Sequence, residues 1–154
     1  MRHAIMLALI VLALPCEAAD LAGQASVIDG DTIEIHGQRI RLFGIDAPES
    51  GQTCESSGLA YRCGQIAALA LADFLIEKTV SCYDKGRDRY GRMIAICYVR
   101  GQDLSAWIVE QGWAMAFRRY SDAYVGQEQA AEDAERGIWR GKFVPPWDWR
   151  KGVR

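Results

Sequence analysis

Three short segments concentrate charged side chains beside turns and strand ends. They are residues 29–32 (DGDT), 41–49 (RLFGIDAPE) and 88–92 (DRYGR). Carboxylate oxygens suit a hard divalent cation, and guanidinium groups form paired hydrogen bonds with phosphate oxygens. Each segment alone also has a structural interpretation, because Asp-Gly often forms a hairpin turn and an arginine-rich loop is usually solvated. Their combination in one chain points to chemistry on a phosphate.

In this order the segments resemble the staphylococcal nuclease family. The family pattern reads VIDGDT, then RL followed by D-x-P-E, then DKG, YGR and QG-x-A. The chain supplies these pieces at residues 27–32, 41–42, 46–49, 84–86, 90–92 and 111–114. The resemblance spans residues 26–139 and implies a nuclease of fold class α+β: a five-stranded Greek-key β-barrel of the OB-fold type with about three α-helices.

The same resemblance assigns one Ca²⁺ ion to this chain. The carboxylates of Asp31 and Asp46 and the backbone carbonyl of Ala47 are its expected ligands, and Asp29 is expected to hydrogen-bond water on the ion. The staphylococcal enzyme has threonine where this chain has Ala47, so the carbonyl is kept and a hydroxyl is lost. A cation fits the reaction because hydrolysis adds hydroxide to an already anionic phosphorus centre.

The catalytic positions of the family are matched by two arginines and one acid. Arg41 and Arg92 are expected to hold phosphate oxygens, which a planar guanidinium does in pairs and lysine does not. Glu49 is expected to take a proton from the attacking water. A histidine mechanism has no pair of histidines to use, since His3 lies in the N-terminal leader and His36 lies beside a turn.

Substrate contacts beyond the reacting phosphate are matched less closely. Tyr90 and Tyr120 match tyrosines that line the nucleotide pocket, where a ring can stack on a base. Arg89 is a further expected contact. Arg118 stands where the staphylococcal pattern has another tyrosine, so it is expected to contact substrate in a different way.

Hydrophobic periodicity indicates the elements that must position these groups. It predicts strands at residues 25–28, 32–36, 39–45, 80–83 and 93–99, and helices at about 65–78, 103–112 and 122–136. We expect one domain at residues 19–154, with a core at about 23–140 and an irregular tail at 141–154 folded back on it. Periodicity alone would define only a small α+β barrel.

The first residues are typical of a secretory signal. The apolar run from Ala4 to Leu14 is about eleven residues, too short to span a bilayer of roughly 30 Å as a helix. Small residues follow, which predicts a signal peptide at residues 1–18 cleaved after Ala18. A lipoprotein anchor on Cys16 is the competing interpretation, with Pro15 a poor context for it. We expect a secreted or periplasmic protein, without stable membrane association after cleavage and monomeric.

Removal of the signal leaves four of the five cysteines, an even number in an oxidising compartment. Four cysteines allow three pairings, and we favour Cys54 with Cys63, closing a loop, and Cys82 with Cys97, bridging neighbouring strands. The second pair lies in two β-type runs joined by a tight basic loop. No C-x-x-C spacing is present, which argues against a zinc or redox site.

The net charge of −2 gives little general attraction to a polyanion, so phosphate binding must come from local arginines and a cation. The expected function is Ca²⁺-dependent hydrolysis of DNA and RNA to products with 3′-phosphate ends. Two alternatives remain: a nucleic-acid-binding OB module without catalysis, and an exported structural protein with a fortuitous motif set. The acids and arginines of the family pattern are all retained, which favours the enzyme.

Overall fold

The computed structural model describes residues 18–154, so nearly all of the predicted signal peptide lies outside the described residues. Residues 18–154 contain eleven short strands. They are β1 (Leu21–Gln24), β2 (Ser26–Asp29), β3 (Thr32–Ile35), β4 (Gln38–Leu42), β5 (Ile45–Asp46), β6 (Cys54–Ser56), β7 (Leu59–Tyr61), β8 (Thr79–Arg87), β9 (Met93–Val99), β10 (Gln102–Asp103) and β11 (Met115–Ala116).

Helices connect and cover the strands. They are α1 (Cys63–Leu75), α2 (Leu104–Glu110), α3 (Val125–Asp133) and α4 (Pro146–Trp149), with a 3₁₀ turn at Gly137–Arg140. The start of α2 is fixed by Asp103, whose side chain accepts hydrogen bonds from the backbone N–H groups of Ser105 and Ala106. No described helix has the length and apolar character that a membrane crossing requires.

One seven-stranded sheet forms the curled half-barrel of the OB fold. Its order is β1-β8-β9-β4-β3-β2, with β10 also paired to β9. Strands β2, β3 and β4 form an antiparallel meander, and β4 then pairs with β9 in parallel. The alternation of buried and partly exposed residues along β9 follows the period of two that places one strand face on a core.

The core lies inside the curl of this sheet. Ile33, Ile35 and Ile40 are fully buried, and α1 and α2 close the core with Leu71 and Ile108. The predicted elements recur here with shifted ends. The five predicted strands correspond to β2, β3, β4, β8 and β9, and the three predicted helices to α1, α2 and α3. The sheet gains β1, which pairs with β8, and β10.

The tail departs from the expected irregular segment. It follows the 3₁₀ turn and contains α4, and it packs on a second buried cluster around Cys63 and Ile138. Trp147 stacks on Phe117 with ring centroids 5.6 Å apart. The tail is ordered because its aromatic residues bury apolar surface that the main core leaves uncovered, which hydrophobic periodicity does not reveal in so short a segment.

Both favoured disulfides are present in the structure. Cys82 and Cys97 face each other as register partners on β8 and β9, so the bridge joins neighbouring strands. Cys54 and Cys63 join the short β6–β7 hairpin to the first turn of α1. This second bridge anchors the loop that carries Glu49 to the helix beneath it.

Candidate active site

Asp31 reaches the site from the turn between β2 and β3. The Asp29 side chain accepts a hydrogen bond from the backbone N–H of Asp31 at 3.0 Å, which shapes this turn. On β4, Arg41 is the register partner of Thr32, so its side chain starts directly beside Asp31. The pairing of β3 with β4 therefore places the carboxylate of Asp31 beside the guanidinium of Arg41, although the two residues are ten positions apart in the sequence.

Arg41 joins the two predicted metal ligands. Its Nη1 lies 2.5 Å from Oδ1 of Asp31, and its Nη2 lies 2.8 Å from Oδ1 of Asp46. The side chains of Asp31 and Asp46 are 4% and 0% exposed. Two buried carboxylates thus converge on one guanidinium, an arrangement that requires compensating charge because desolvation disfavours ionised acids.

The pKa values reflect burial first and the neighbouring charges second. Burial raises the pKa of Asp31 to about 7, against the opposing effect of Arg41, and the neighbouring carboxylates of Asp29 and Asp46 raise it further. The Arg41 guanidinium is itself buried, yet Asp31 and Asp46 raise its pKa above the ordinary value. An additional cation at Asp31 would favour its ionised form.

The donor set fits a hard cation whose coordination is completed by water. Oδ2 of Asp31 accepts one hydrogen bond, from the Ala47 N–H at 2.8 Å, and Oδ2 of Asp46 also carries a single one. Each oxygen therefore keeps a lone pair. Residues 18–154 contain no group of three or more His, Cys, Asp or Glu arranged to hold an ion, so Ca²⁺ with six to eight ligands would rely on water and carbonyl oxygens.

Gly30 has no room for a side chain beside Ala47. A Cβ added to Gly30 would lie 2.7 Å from the Ala47 Cβ, so the β2–β3 turn and the loop after β5 touch here. This contact brings the backbone of Ala47 against Asp31. A side chain at position 30 would therefore push the loop that carries Ala47 away from the turn.

Arg92 enters from the start of β9 and is held by Asp88. Its Nε lies 2.7 Å from Oδ2 of Asp88, and its Nη1 lies 3.4 Å from the Thr32 hydroxyl, which also donates to Asp31. Burial opposes ionisation of Asp88, but hydrogen bonds from Arg92 and from the N–H of Tyr90 outweigh it and lower its pKa. Sequence reasoning gave Asp88 no role, although it fixes Arg92.

Glu49 lies at the mouth of the site and contacts an arginine that sequence reasoning missed. Its Oε1 is 2.6 Å from Nη1 of Arg150, and Nη2 of Arg150 is 2.7 Å from Oδ2 of Asp46. Arg150 directly follows α4. The basic pair Arg150-Lys151 was its only signal in the sequence, and the expectation of an irregular tail gave no reason to direct it to the acids.

A cleft of about 1130 Å³ opens over these groups. It is lined by Asp31, Arg41, Glu49, Arg92 and Arg150, while Asp46 lies beneath its floor. The predicted site residues, scattered over more than sixty positions of sequence from Asp29 to Arg92, thus meet at one surface.

The expected substrate contacts divide into two groups. Tyr90 and Tyr120 line the cleft with 69% and 67% of their surface exposed, and Arg89 lines it with its guanidinium 4.8 Å from the centre of the Tyr90 ring. Arg118 departs from the expectation. It pairs with the buried Glu128 at 2.5 Å and does not line the cleft, whereas its neighbour Arg119 does.

The Arg118 placement has a local cause. Glu128 is 3% exposed and accepts a hydrogen bond from the Ala116 N–H, so its carboxylate requires a cation nearby. Arg118 supplies that charge to α3. Arg119 lies in the turn at residues 118–120 and lines the cleft.

Known proteins match this sequence. The family model for staphylococcal nuclease homologues matches residues 39–141, more than half of the chain. An uncharacterized endonuclease of Escherichia coli O157:H7 is 34% identical over 97% of this chain and 98% of its own. The micrococcal nuclease of Shigella flexneri is 32% identical over 88% and 84%.

A third relative carries a different kind of name. The succinoglycan biosynthesis protein ExoI of Rhizobium meliloti is 44% identical over 81% of this chain and 68% of its own. Asp29 and Asp31 precede the segment that the family model matches, but the alignment to the Escherichia coli endonuclease spans nearly the whole chain. The chain therefore belongs to the staphylococcal nuclease family.

Proposed function

We propose that this chain is an exported, Ca²⁺-dependent nuclease that cleaves DNA and RNA and leaves 3′-phosphate ends. Membership of the family supplies the coarser part, a nuclease acting on nucleic acid. Of the finer part, the metal and export are supported by the chemistry of the described residues, and the 3′-phosphate ends are what the resemblance to the family implies.

One observation carries the proposal most strongly. Arg41 holds the buried carboxylates of Asp31 and Asp46 together under a cleft that Glu49 and Arg92 also line. Buried acids without full charge compensation are costly, and they persist where they bind a cation or do chemistry. A binding module without catalysis would not need Asp31 and Asp46 buried beside a guanidinium.

In this proposal Asp31, Asp46 and the Ala47 carbonyl would hold the ion. Bound Ca²⁺ supplies positive charge to the phosphate oxygens and to the attacking water. Arg41 and Arg92 hold the non-bridging phosphate oxygens, with Asp88 keeping the Arg92 guanidinium in place. Glu49 accepts the proton of the attacking water as the new P–O bond forms. The bond from phosphorus to the 5′ oxygen breaks, that oxygen takes a proton from solvent water, and Glu49 then returns its proton to solvent.

Export is supported by the two disulfides, which persist in oxidising compartments. Export is tested by identifying the N-terminal residue of the protein recovered from the periplasm or medium of an expressing bacterium. Mass spectrometry should find a chain that begins at Ala19. A lipid-modified Cys16 would instead support the anchored alternative.

The activity is tested with the mature chain and single-stranded DNA. We expect degradation in calcium buffer, no degradation in excess EDTA, and a loss of about 100-fold or more in kcat for Glu49→Gln. Glu132→Gln is the matched control, because Glu132 is an exposed glutamate on α3. A gel shift without degradation would support the binding module instead. Product ends are tested by polymerase extension, which should require prior phosphatase treatment.

A further inference from the structure

Arg150 is a cationic group of the cleft to which the family pattern gives no role. It follows α4 in a segment outside the residues 39–141 that the family model matches. Its side chain is 40% exposed and reaches both Asp46 and Glu49. A guanidinium between a buried metal-binding acid and the proposed base lies within the reaction site.

The position of Arg150 is fixed by the packing of the tail. The buried Gln52 donates a hydrogen bond to the Val144 carbonyl at 2.7 Å, and Pro146 is buried at the start of α4. Trp147 stacks on Phe117, which also lines the cleft. The backbone N–H of Arg150 then donates to the Pro146 carbonyl at 3.1 Å. The side chain therefore starts from ordered backbone.

The hydrogen bonds of Arg150 use only part of its guanidinium. Nη1 donates to Oδ1 of Asp46 at 3.1 Å, and Nη2 donates to Oδ2 of Asp46 at 2.7 Å. Nη1 also donates to Oε1 of Glu49. Within residues 18–154, Nε and the second hydrogen of Nη2 have no protein acceptor. Arginine has five N–H donors in a plane, and Nε and Nη2 form one parallel pair. That pair matches the spacing of two phosphate oxygens.

The charge balance also leaves Arg150 available for an anion. Three carboxylates, those of Asp31, Asp46 and Glu49, face the two guanidiniums of Arg41 and Arg150. A divalent cation at Asp31 and Asp46 would make this group of charges positive overall, or neutral when the carboxylate of Asp29, which also lines the cleft, is included. A phosphate entering the cleft then meets a guanidinium whose carboxylate partners are already compensated.

We propose that Arg150 is a third phosphate-binding arginine of the site, with Asp46 and Glu49 holding its guanidinium so that Nε and Nη2 face the substrate phosphate. This assignment rests on the proposed function of the cleft. It makes the C-terminal turn part of the substrate-binding machinery rather than a structural cover.

The test is calorimetric binding of a nucleoside 3′,5′-bisphosphate in calcium buffer, which needs no turnover. Arg150→Gln should weaken the affinity at least about tenfold, since hydrogen bonds to charged groups are the strong ones. Arg150→Lys should recover only part of it, because lysine keeps the charge and loses the paired donors. Arg154→Gln is the matched control: its guanidinium lies over Trp149, and Arg154 does not line the cleft.

A second comparison separates direct contact from negative charge uncovered at Glu49. If Arg150 acted only by neutralising Glu49, the affinity loss would disappear when Arg150→Gln is made in a Glu49→Gln background. We expect the loss to persist there. Equal or tighter binding by Arg150→Gln, or a loss that disappears in that background, overturns the assignment of Arg150 alone. Failure of the wild-type chain to bind the bisphosphate would instead overturn the proposed function of the cleft, and this assignment with it.

Discussion

The backbone carbonyl of Glu49 lies against the α-carbon of Gly64, the second residue of α1. A Cβ on Gly64 would overlap that carbonyl oxygen, so no larger residue fits without displacing one of the two segments. The backbone N–H of Gly64 also lies 3.4 Å from the Gln52 carbonyl, and the Gln52 side chain accepts a hydrogen bond from the Glu49 N–H. The proposed base is therefore positioned by close backbone packing on α1.

Gly64→Ala should displace the loop that carries Glu49. We expect a destabilisation of about 1–3 kcal/mol, typical of overpacking, and a fall in kcat larger than any change in KM. Urea unfolding and steady-state kinetics on single-stranded DNA measure the two effects. Gly126→Ala is the control: Gly126 lies in α3 with open space around it, and alanine there should be neutral or stabilising. Unchanged kcat in Gly64→Ala would show that the loop tolerates the shift.

Asp88→Asn should loosen Arg92 while leaving the turn intact. The asparagine oxygen can still accept the N–H bonds of Tyr90 and Arg92 that Oδ1 accepts, but the charged partner of Nε is lost. We expect a higher KM for DNA, because the phosphate-binding guanidinium is less ordered. A KM equal to that of wild type would contradict the role given to Asp88.

The same acid gives a pH prediction. The pKa of Asp88 is lowered in the folded chain, so its stabilising contribution is complete above the ordinary aspartate pKa of about 3.9. That contribution is lost as the pH falls through the lowered value. Thermal melts between pH 2 and pH 7 should therefore fall less steeply at the acid end for Asp88→Asn than for wild type. If the melting temperatures of the two chains fell equally steeply with pH at the acid end, this prediction would be refuted.

Removal of the strand-bridging disulfide should cost stability without changing the site. Cys82 and Cys97 are separated by 15 residues, for which loop-closure entropy gives about 3 kcal/mol. The double change Cys82→Ala with Cys97→Ala should lower the unfolding free energy by about that amount while keeping KM, since both side chains lie in the core away from the cleft. Mass spectrometry that found free thiols at these positions in the exported chain would remove the basis of this prediction.

The sequence predicted the parts of the molecule that repeat simple patterns. Alternation in β3, β4 and β9 and the apolar stripe of α1 defined the barrel elements, and the motifs around Asp31, Arg41 and Arg92 indicated the site. What it missed depends on contacts between distant segments. The roles of Gln52 and Arg150 require the tail to fold against the loop after β5. No sequence pattern within the tail or within that loop predicts this contact.

Arg118 illustrates the other kind of failure. The expectation for Arg118 came from its match to a substrate-contacting tyrosine of the family pattern. In the structure its guanidinium instead forms an ion pair with the buried carboxylate of Glu128. A buried acid ten residues downstream is not visible in a pattern of side-chain types. Adjacent residues such as Arg118 and Arg119 can therefore exchange roles without any change in composition.

The central claim is that one cation and the guanidiniums of Arg41 and Arg92 act on the same phosphate. A crystal structure of the mature chain with calcium and a nucleoside 3′,5′-bisphosphate tests it most directly. We predict one ion at about 2.3–2.6 Å from oxygens of Asp31 and Asp46, with both guanidiniums on the phosphate that the ion contacts. An ion bound elsewhere, or Arg41 and Arg92 on different phosphates, would contradict the account.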